Sequence, residues 1–441
     1  MQSPVFFYAF PMTVSASLSF SFIGNACGIF TGSRNTRILC DPWLVDGVFD
    51  GSWCHYPPLK TRFEDVADVD AVFVSHLHPD HFDVRHFDFD YQKPILILDH
   101  GPNFLRKQLK ELGFVNIVEF KDGVSAPFNE FMITLFAPFA RHNFHEAEVG
   151  NLIDSAMLIE CDGVSALNAN DNTPTPETCA ELRDRYGTID LAMINYNAAG
   201  PYPSCFNNLN SDEKNSEHQR ILNRNFAYMH ELVEVLKPKY VLPFAGSYVL
   251  GGELSKLNQY LGTTTWDICA QELNFRGLTS TETIRLREND VFDIGTGESN
   301  RPYVPIDEIE MALYINQISS MSYPYESDAA PILDVLLDDI ETASRGMHDR
   351  MLRYSISSKT PVFLELEGHL CQIHPVFERL ARTATSDTSS LTCSIDPRLM
   401  RRILDRISHW NNAEIGCHIQ FVRTPNSYEP DLHTALQFLH L

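Results

Sequence analysis

The chain has 441 residues, with 34 Lys and Arg against 58 Asp and Glu and a formal net charge of −24. Its 44% hydrophobic and 11% aromatic content is that of a folded protein and excludes an intrinsically disordered chain. A chain this acidic has no basic stripe to neutralise phosphates, so we expect neither a nucleic-acid partner nor binding to an anionic membrane. An anionic substrate would have to meet local arginines or a metal.

The N-terminal segment, residues 1–23, is apolar but has no Lys or Arg before Arg34, so it lacks the charged region that opens a signal peptide. The ten cysteines are scattered singly without a Cys-x-x-Cys pair, which is typical of reduced thiols. No uncharged apolar run is long enough for a membrane span. We therefore expect a cytoplasmic protein.

Strands and helices alternate through the first 300 residues. Residues 17–23 and the IFTG segment flank the turn Gly24-Asn-Ala-Cys-Gly28 and predict a hairpin. Further strands are predicted at 37–40, 71–74, 95–98, 131–136, 155–160, 164–167, 191–195 and 240–244, and helices at 103–112 and 219–236. This alternation predicts an α/β fold.

A second unit follows. Residues 284–293 predict a last strand and turn, and 295–305 have the Gly, Pro and polar composition of a linker. Beyond it the sequence predicts helices at 306–321, 330–349, 397–408 and from 432, a strand at 362–367 and a turn at 383–390. We therefore predict a catalytic domain over residues 1–300 and a smaller α+β accessory domain over residues 301–441.

The main chemical signal is a run of ligand-type side chains directly after the predicted strand at 71–74. It reads His76-x-His78-x-Asp80-His81, with Pro79 as a bend. Imidazole and carboxylate groups are common ligands of transition metals. His76 and His78 share a face, whereas Asp80 and His81 lie past the bend and can reach a second metal position. The motif therefore predicts a site for one or two transition metal ions, either zinc or iron.

This motif resembles the signature of the metallo-β-lactamase superfamily, and the resemblance covers residues 17–295. It implies an αββα sandwich that holds metal between two sheets at one edge, followed here by the α+β domain. It also implies another His ligand, for which His142 is the better placed candidate and His145 the second, and a bridging carboxylate, which Asp171 matches. The implied metal ligands are His76, His78, Asp80, His81, His142 and Asp171, with Asp80 and Asp171 as the catalytic residues.

The sequence departs from the family pattern at the last ligand. The family has a His after a later strand, and the matching stretch here, 239–248, contains none. We therefore expect the second metal position to keep Asp80, His81 and Asp171, and to be open, filled by water, weakened or empty. Ser247, Tyr248 and Glu253 lie nearby in sequence, but spacing alone does not identify any of them as a ligand.

Two branches of the superfamily share further features with the chain. The opening Ile38-Leu-Cys-Asp41-Pro-Trp-Leu44 resembles ascorbate-6-phosphate lactonase-like hydrolases and implies that Asp41 accepts an imidazole N–H beneath the metal ligands. The bridge Asn168-Ala-Asn170-Asp171 and the segment His409-Trp-Asn-Asn-Ala-Glu-Ile-Gly416 resemble the non-Rieske part of CMP-N-acetylneuraminate hydroxylase. The DPWL opening is common to both branches, so it does not choose between them.

The hydroxylase family also has a Rieske cluster, which needs Cys-x-His followed by Cys-x-x-His. Cys371-Gln-Ile-His374 has the second spacing, but no Cys-x-His precedes it. We therefore expect no Rieske centre in this chain, and an oxygenase would then need a separate reductase or would rely on its iron pair alone.

Three functions are compatible with these residues. With zinc, a metal-activated water would attack a lactone, amide or phosphoester, and this hydrolase is the leading prediction because hydrolysis is the common outcome for a Rieske-less member of the superfamily. With iron, the same ligands predict an oxygenase, which the missing His and the Asn-rich bridge favour. The third option is a non-catalytic metal-binding module. The enzymes would act on a small molecule, and the accessory domain would cover the site, bind substrate or form a homodimer interface.

Overall fold

The computed structural model describes residues 18–139, 154–380 and 389–441. In those residues the strands are β1 Leu18–Gly24, β2 Cys27–Gly32, β3 Arg37–Cys40, β4 Trp53–Cys54, β5 Ala71–Phe73, β6 Ile95–Asp99, β7 Ile117–Lys121, β8 Ala126–Phe128, β9 Phe131–Phe136, β10 Ala156–Cys161, β11 Val164–Asn170, β12 Leu191–Ile194, β13 Tyr240–Pro243, β14 Val249–Leu250, β15 Glu282–Thr283, β16 Val291–Asp293, β17 Glu298–Ser299, β18 Val362–Leu366, β19 His369–His374, β20 Glu378–Leu380, β21 Ser390–Ser394 and β22 Gln420–Thr424.

The helices of the same residues are α1 Phe63–Val66, α2 Phe104–Glu111, α3 Pro176–Tyr186, α4 Ser211–Leu236, α5 Trp266–Arg276, α6 Glu308–Ile318, α7 Leu333–Arg353, α8 Pro397–Leu404, α9 Trp410–Ile415 and α10 Pro430–Leu436. Two 3-10 helices span Gly252–Tyr260 and Pro324–Ser327. None of these helices combines the length and the apolar composition that crossing a membrane requires.

Two large sheets form the first part of the chain. The first has the strand order β17-β16-β1-β2-β3-β5-β6-β7 and the second has the order β15-β13-β12-β11-β10-β9-β8. Strands β3, β5, β6 and β7 are mutually parallel, as are β11, β12 and β13. The carboxyl ends of each parallel set therefore lie along one edge of its sheet.

The first sheet is apolar on both faces because each face packs against another layer. Leu96 and Leu98 of β6 point into a core shared with the second sheet, whereas Ile95 and Ile97 contact Leu105 of α2 on the opposite face. Helices α3, α4 and α5 contribute to the core beside the second sheet. The predicted αββα sandwich is confirmed.

Three details of the sequence prediction are wrong. Helix α4 begins at Ser211, ahead of the predicted 219, because the side chain of Asn210 accepts hydrogen bonds from the backbone N–H groups of Asp212 and Glu213 and caps the helix there. The predicted linker at 295–305 contains β17, which pairs with β16 at the edge of the first sheet. The apolar residues 284 and 286 are buried in the core without forming a strand of that sheet.

The C-terminal unit is α+β. Its sheet has the order β20-β19-β18-β21-β22, and helices α7 and α8 pack on it through one apolar cluster. The same cluster includes Trp43, Trp53 and Phe206 from the first part of the chain. The division at residue 300 stays a prediction, and residues 383–388 of the predicted turn lie outside the described residues.

A partly buried carboxylate, Asp50, connects the two parts of the chain. Its Oδ2 accepts a hydrogen bond of 2.7 Å from Ser408 Oγ, and burial raises its pKa to about 6 even though Ser408 and two arginines oppose the shift. This pKa exceeds that of an unfolded Asp, about 3.9. The protonated carboxyl group therefore stabilises the fold fully below about pH 3.9, and this contribution is lost as the pH rises through 6.

Asp50→Asn should therefore raise the free energy of unfolding at pH 8 by roughly 1–2 kcal/mol and change it little at pH 4. Asparagine also tolerates the positive φ of 57° at this position. Urea denaturation at the two pH values measures the effect, with the exposed Asp88→Asn as the control. An equal change at both pH values would contradict the assignment.

Candidate metal centre

The candidate ligands lie at the carboxyl ends of two strands that face each other across the sandwich. In the first sheet, β5 precedes His76, His78, Asp80 and His81, and in the second sheet β11 precedes Asp171. The chain turns sharply after each strand, so these side chains collect at the sheet edge. Five of the six ligands implied by the sequence are thus brought together, and the sixth, His142, lies outside the described residues.

Ser155, at the start of the β10 segment, ties the two sheets together at this edge. Its backbone N–H and its hydroxyl both donate to the carbonyl oxygen of Ser75, at 3.3 and 2.8 Å. Its own carbonyl accepts a 2.8 Å hydrogen bond from Asn170 Nδ2. These bonds fix the loop that carries His76 against the strand end that carries Asp171.

Two groups of the described residues could each hold a metal ion, and they share one carboxylate. The first is His76, His78 and Asp171, and the second is Asp80, His81 and Asp171, with ligand atoms within 4.8 Å of one another in each group. Asp171 Oδ2 lies 4.0 Å from His76 Nε2 and 3.3 Å from His81 Nε2. Asp171 therefore has the position that a carboxylate bridging two ions requires.

The outer nitrogens of His76 and His78 have hydrogen-bond acceptors, which fixes the tautomer of each ring. Ser75 Oγ donates to Asp41 at 2.9 Å, so it accepts from His76 Nδ1 at 2.9 Å. Asn411 Oδ1 accepts from His78 Nε2 at 2.9 Å. The inner atoms, His76 Nε2 and His78 Nδ1, then both carry lone pairs and lie 2.9 Å apart. A cation between them would remove this repulsion, so the residues fit a metal ion.

His81 is arranged in the same way. Its Nδ1 lies 3.0 Å from Asp41 Oδ2, which accepts its proton. Its Nε2 is buried, has no hydrogen-bond partner among the described residues, and lies 3.4 Å from Asp80 Oδ2. A buried nitrogen without a partner, facing two carboxylates, is an atom that a metal ion would satisfy.

The two carboxylates of the second group are oriented by amides. Asn25 Nδ2 donates to Asp80 Oδ2 at 3.0 Å, and Asn195 Nδ2, after β12, donates to Asp171 Oδ1 at 3.0 Å. These bonds leave Asp171 Oδ2 turned toward the imidazoles. Neither asparagine was singled out in the sequence, although both lie in segments that follow strands and turns.

The titration behaviour of the site agrees with this geometry. Burial, reinforced by His81 and His78, holds the pKa of His76 well below its ordinary value, so this ring is neutral and can donate a lone pair. Burial also disfavours a charged His81, but Asp80, Asp171 and Asp41 outweigh it and hold the pKa of His81 well above its ordinary value. Without another cation the site therefore keeps a proton on His81, and a metal ion would take the place of that proton.

The residues near the absent family His have other roles. The backbone N–H of Ser247 donates to Asn25 Oδ1 at 2.9 Å, and so it helps to hold the amide that orients Asp80. Tyr248 stacks on Trp53 with ring centroids 3.3 Å apart, and Glu253 is an exposed residue of a 3-10 helix. Within the described part of the chain none of the three belongs to a metal-binding group.

Asp154 is a further acidic residue that the sequence analysis missed. Its Oδ1 lies 3.7 Å from His76 Nε2, on the side of the first ligand group. An acidic residue immediately before a strand is common, so its position in the sequence carried no signal. The second candidate for the further His ligand, His145, lies outside the described residues.

The hydrogen bond between His78 and Asn411 leads to a prediction about metal affinity. Asn411→Ala removes the acceptor that holds the proton on His78 Nε2, and loss of such a partner typically weakens metal binding about 10- to 100-fold. Competition with a chromogenic chelator measures the affinity. Asn412→Ala, on the same helix, is the matched control, and equal losses in both variants would contradict the role of Asn411.

Comparison with known proteins fits this geometry. Residues 36–244 match the family model described as the beta-lactamase superfamily domain. This lactamase-type domain is similar to the beta-lactamase superfamily domain and covers just under half of the chain. This range holds both strand ends that carry the ligand groups, so the resemblance seen in the sequence is confirmed.

Curated relatives of the chain include a protein named for an iron-sulfur cluster and a hydroxylase. A protein of Mycolicibacterium smegmatis, named as a Rieske 2Fe-2S iron-sulfur protein, is 32% identical over 42% of this chain and 35% of its own length. The cytidine monophosphate-N-acetylneuraminic acid hydroxylase of Danio rerio is 25% identical over 69% of this chain and 53% of its own length. The chain thus spans between a third and about half of the curated relatives it matches.

The solved structures that are similar to the chain include one named as a hydroxylase and one named as a hydrolase. CmlA, a diiron β-hydroxylase from Streptomyces venezuelae, is 18% identical and aligns 61% of this chain with 53% of its own at a TM-score of 0.41. A protein of Veillonella parvula described as a metal-dependent hydrolase is 16% identical and aligns 63% of this chain with 100% of its own at a TM-score of 0.45.

Proposed function

We propose that this chain is the metal-binding part of an iron-dependent hydroxylase that acts on a small molecule. The observation that carries the proposal is the set of donor atoms. One group has two imidazoles and the shared carboxylate of Asp171, and the other has two carboxylates and one imidazole. Two histidines with one carboxylate is the ligand combination of non-haem iron oxygenases. The catalytic zinc sets of hydrolases are richer in nitrogen or sulfur than the second group.

The names of two curated relatives support the oxygenase over the hydrolase. They are a Rieske iron-sulfur protein and a hydroxylase, with 32% and 25% identity to this chain. The preference for a hydrolase that the sequence suggested is therefore replaced by a preference for the oxygenase. Because the chain spans only part of these relatives, the activity and the electron donor belong to the proposal.

Each residue has a role in this proposal. His76, His78, Asp80, His81 and Asp171 would hold the ions, and iron in these positions would supply the reaction with dioxygen. A hydroxylation consumes one O₂, two electrons and two protons, inserts one oxygen atom into a C–H bond and releases the other as water. We propose a Rieske-type iron-sulfur protein or a separate reductase as the electron donor.

The orienting residues keep the donor atoms in place during this reaction. Asp41 and Ser75 keep the protons of His81 and His76 on their outer nitrogens. Asn25 and Asn195 hold the two carboxylates in fixed orientations. The absence of a His after β13 leaves the second group with fewer protein ligands than the family pattern, which would leave room for dioxygen or substrate.

Metal analysis of the full chain, purified without chelators or a metal-affinity column, tests the proposal. We expect two iron atoms per chain that dithionite reduces and air reoxidises, and His78→Ala should lose most of the iron. Two redox-inactive zinc ions would favour the hydrolase, in which Asp80 or Asp171 would orient the attacking water. A chain that binds no metal would favour the non-catalytic module.

A further inference from the structure

A second feature lies beside the candidate metal centre, in a cavity of about 530 Å³ between the lactamase-type domain and the C-terminal unit. Leu77 and His78 form part of one wall, and Trp410 and Asn411 of α9 form part of the opposite one. His78 belongs to the first ligand group, so the cavity adjoins the metal centre at that ring. Its volume is that of a site for a small organic molecule.

The cavity is basic although the chain as a whole is acidic. Its lining includes Lys107, Arg350, Arg353 and Arg406, and among the described lining residues only Glu111 carries a carboxylate. Glu111 already pairs with Lys107 at 3.8 Å. The three arginines form no ion pair with a carboxylate of the described residues. They therefore remain unneutralised in a chain with 58 acidic and 34 basic residues.

The arginines of the neighbouring helix α8, unlike those of the cavity, form ion pairs. All three arginines of helix α8 are paired with aspartates. The pairs are Arg398 with Asp396, Arg401 with Asp339 and Asp405, and Arg402 with Asp328. Aspartates are thus available in this part of the fold, and the arginines that line the cavity are the ones left without them.

A structural explanation accounts for only part of this arrangement. Arg350 and Arg353 lie in the last turn of α7, where cations favour the helix dipole, and Arg350 Nη1 donates to the carbonyl of Phe438 at 3.1 Å. The dipole of α8 favours Arg406 in the same way, because Arg406 directly follows the C-cap of that helix, and it donates to His440 Nε2 at 3.0 Å. Neither dipole removes the repulsion among three cations at one cavity. Burial, together with repulsion from Arg406 and Arg353, lowers the pKa of Arg350. A bound anion would relieve this repulsion.

The rest of the lining suits an organic group with acceptor atoms. Phe104 and Ile407 are exposed apolar side chains at the cavity. Trp410 is fully buried, and its indole N–H has no hydrogen-bond partner among the described residues. Because that nitrogen is closed off from the cavity, the ring offers a ligand only apolar surface, and the amide of Asn412 is a polar group of the same lining.

We propose that this cavity binds a small organic phosphate, with its phosphate on Arg350, Arg353 and Arg406 and its organic part toward His78. Guanidinium groups bind phosphate oxygens in a bidentate manner, and a phosphate monoester carries nearly two negative charges, which suits several unpaired cations better than one carboxylate does. The further statement that this ligand is the substrate rests on the proposed metal-dependent function.

Isothermal titration of the full chain with phenyl phosphate tests the site. Arg353→Gln and Arg406→Gln should each weaken binding about tenfold, because each removes a charge-assisted hydrogen bond. Arg345→Gln is the matched control, since Arg345 lies on the same helix as Arg353 and pairs with Glu341. Unchanged binding in both cavity variants, or an equal loss in the control, would overturn the proposal.

Two further arms separate this site from the metal centre. Benzoate has the same ring but one negative charge, and binding as tight as that of phenyl phosphate would overturn the assignment to phosphate. Asp171→Asn should lose metal and keep phenyl phosphate binding. The opposite result would be that the Asp171 variant loses both metal and phenyl phosphate binding while the two arginine variants still bind phenyl phosphate. The phosphate would then lie on the metal ions, and the cavity proposal would be wrong. Failure of the iron proposal would leave the arginine result unaffected.

Discussion

Replacing Asp171 by asparagine should empty both metal positions together. Asp171 belongs to both ligand groups, and its Oδ2 lies 3.3 Å from His81 Nε2. The amide keeps the shape of the side chain but removes the negative charge that offsets two cations. We expect the metal content to fall from two ions per chain to less than one, with an affinity loss larger than the 10- to 100-fold typical of an orienting residue.

The matched control is Asp162→Asn, an exposed residue in the turn between β10 and β11, at the other end of the same strand. It should leave metal content unchanged. Elemental analysis after dialysis against a weak chelator gives the number of ions retained by each variant, and circular dichroism checks the fold. If the Asp171 variant keeps two ions tightly, another carboxylate bridges them, and Asp154 is the nearest candidate because it lies 3.7 Å from His76 Nε2.

The part of the site that could be predicted from sequence is the part encoded locally. His76 to His81 lie on one loop after one strand, so their order alone indicated that they act together. Asp171 could be placed because a hairpin, β10 and β11, delivers it to the matching edge of the second sheet. Short runs of apolar residues similarly predicted most strands of the sandwich, since both faces of the first sheet are buried.

The contributions of distant segments could not be predicted. Asn411 is 333 residues from His78 in sequence, yet its amide fixes the tautomer of that ring. From sequence, the second unit was expected to cover the site, bind substrate or form a dimer interface. These roles could not be told apart because its arginines are dispersed over α7 and the segment after α8. Only the folded chain brings Arg353 and Arg406 to one cavity. A strand such as β19, which mixes polar and apolar residues, has no clear period and was not predicted either.

Asp41 belongs to neither ligand group. It should nevertheless control the metal position that is built on Asp80 and His81. It is fully buried and accepts hydrogen bonds from Ser75 N at 2.8 Å and Ser75 Oγ at 2.9 Å, and its Oδ2 lies 3.0 Å from His81 Nδ1. Burial raises its pKa, and the charge and hydrogen bond of His81 oppose that rise. Asp41 therefore keeps the His81 proton on Nδ1 and leaves Nε2 facing Asp80 and Asp171.

In Asp41→Asn an amide N–H can replace the acceptor beside His81 Nδ1, which would move the ring proton to Nε2, the atom that the metal needs. Asparagine also suits the positive φ of 43° at this position. We expect the affinity of the position built on Asp80 and His81 to fall about 10- to 100-fold. The position built on His76 and His78 should lose less, because Asp41 acts on His76 only through Ser75. A metal titration followed by chelator competition would then become biphasic.

Asp190→Asn is the control for this variant, because Asp190 is also buried and bound to backbone, through the N–H of Ser165 at 2.9 Å, but lies at the opposite end of the second sheet's strands. It should lower stability without changing either metal affinity. Parallel losses at both positions in the Asp41 variant would mean that the carboxylate acts by holding the loop together. An unchanged titration would mean that His81 does not need this carboxylate to present Nε2, and the two ligand groups would then be set by the strand ends alone.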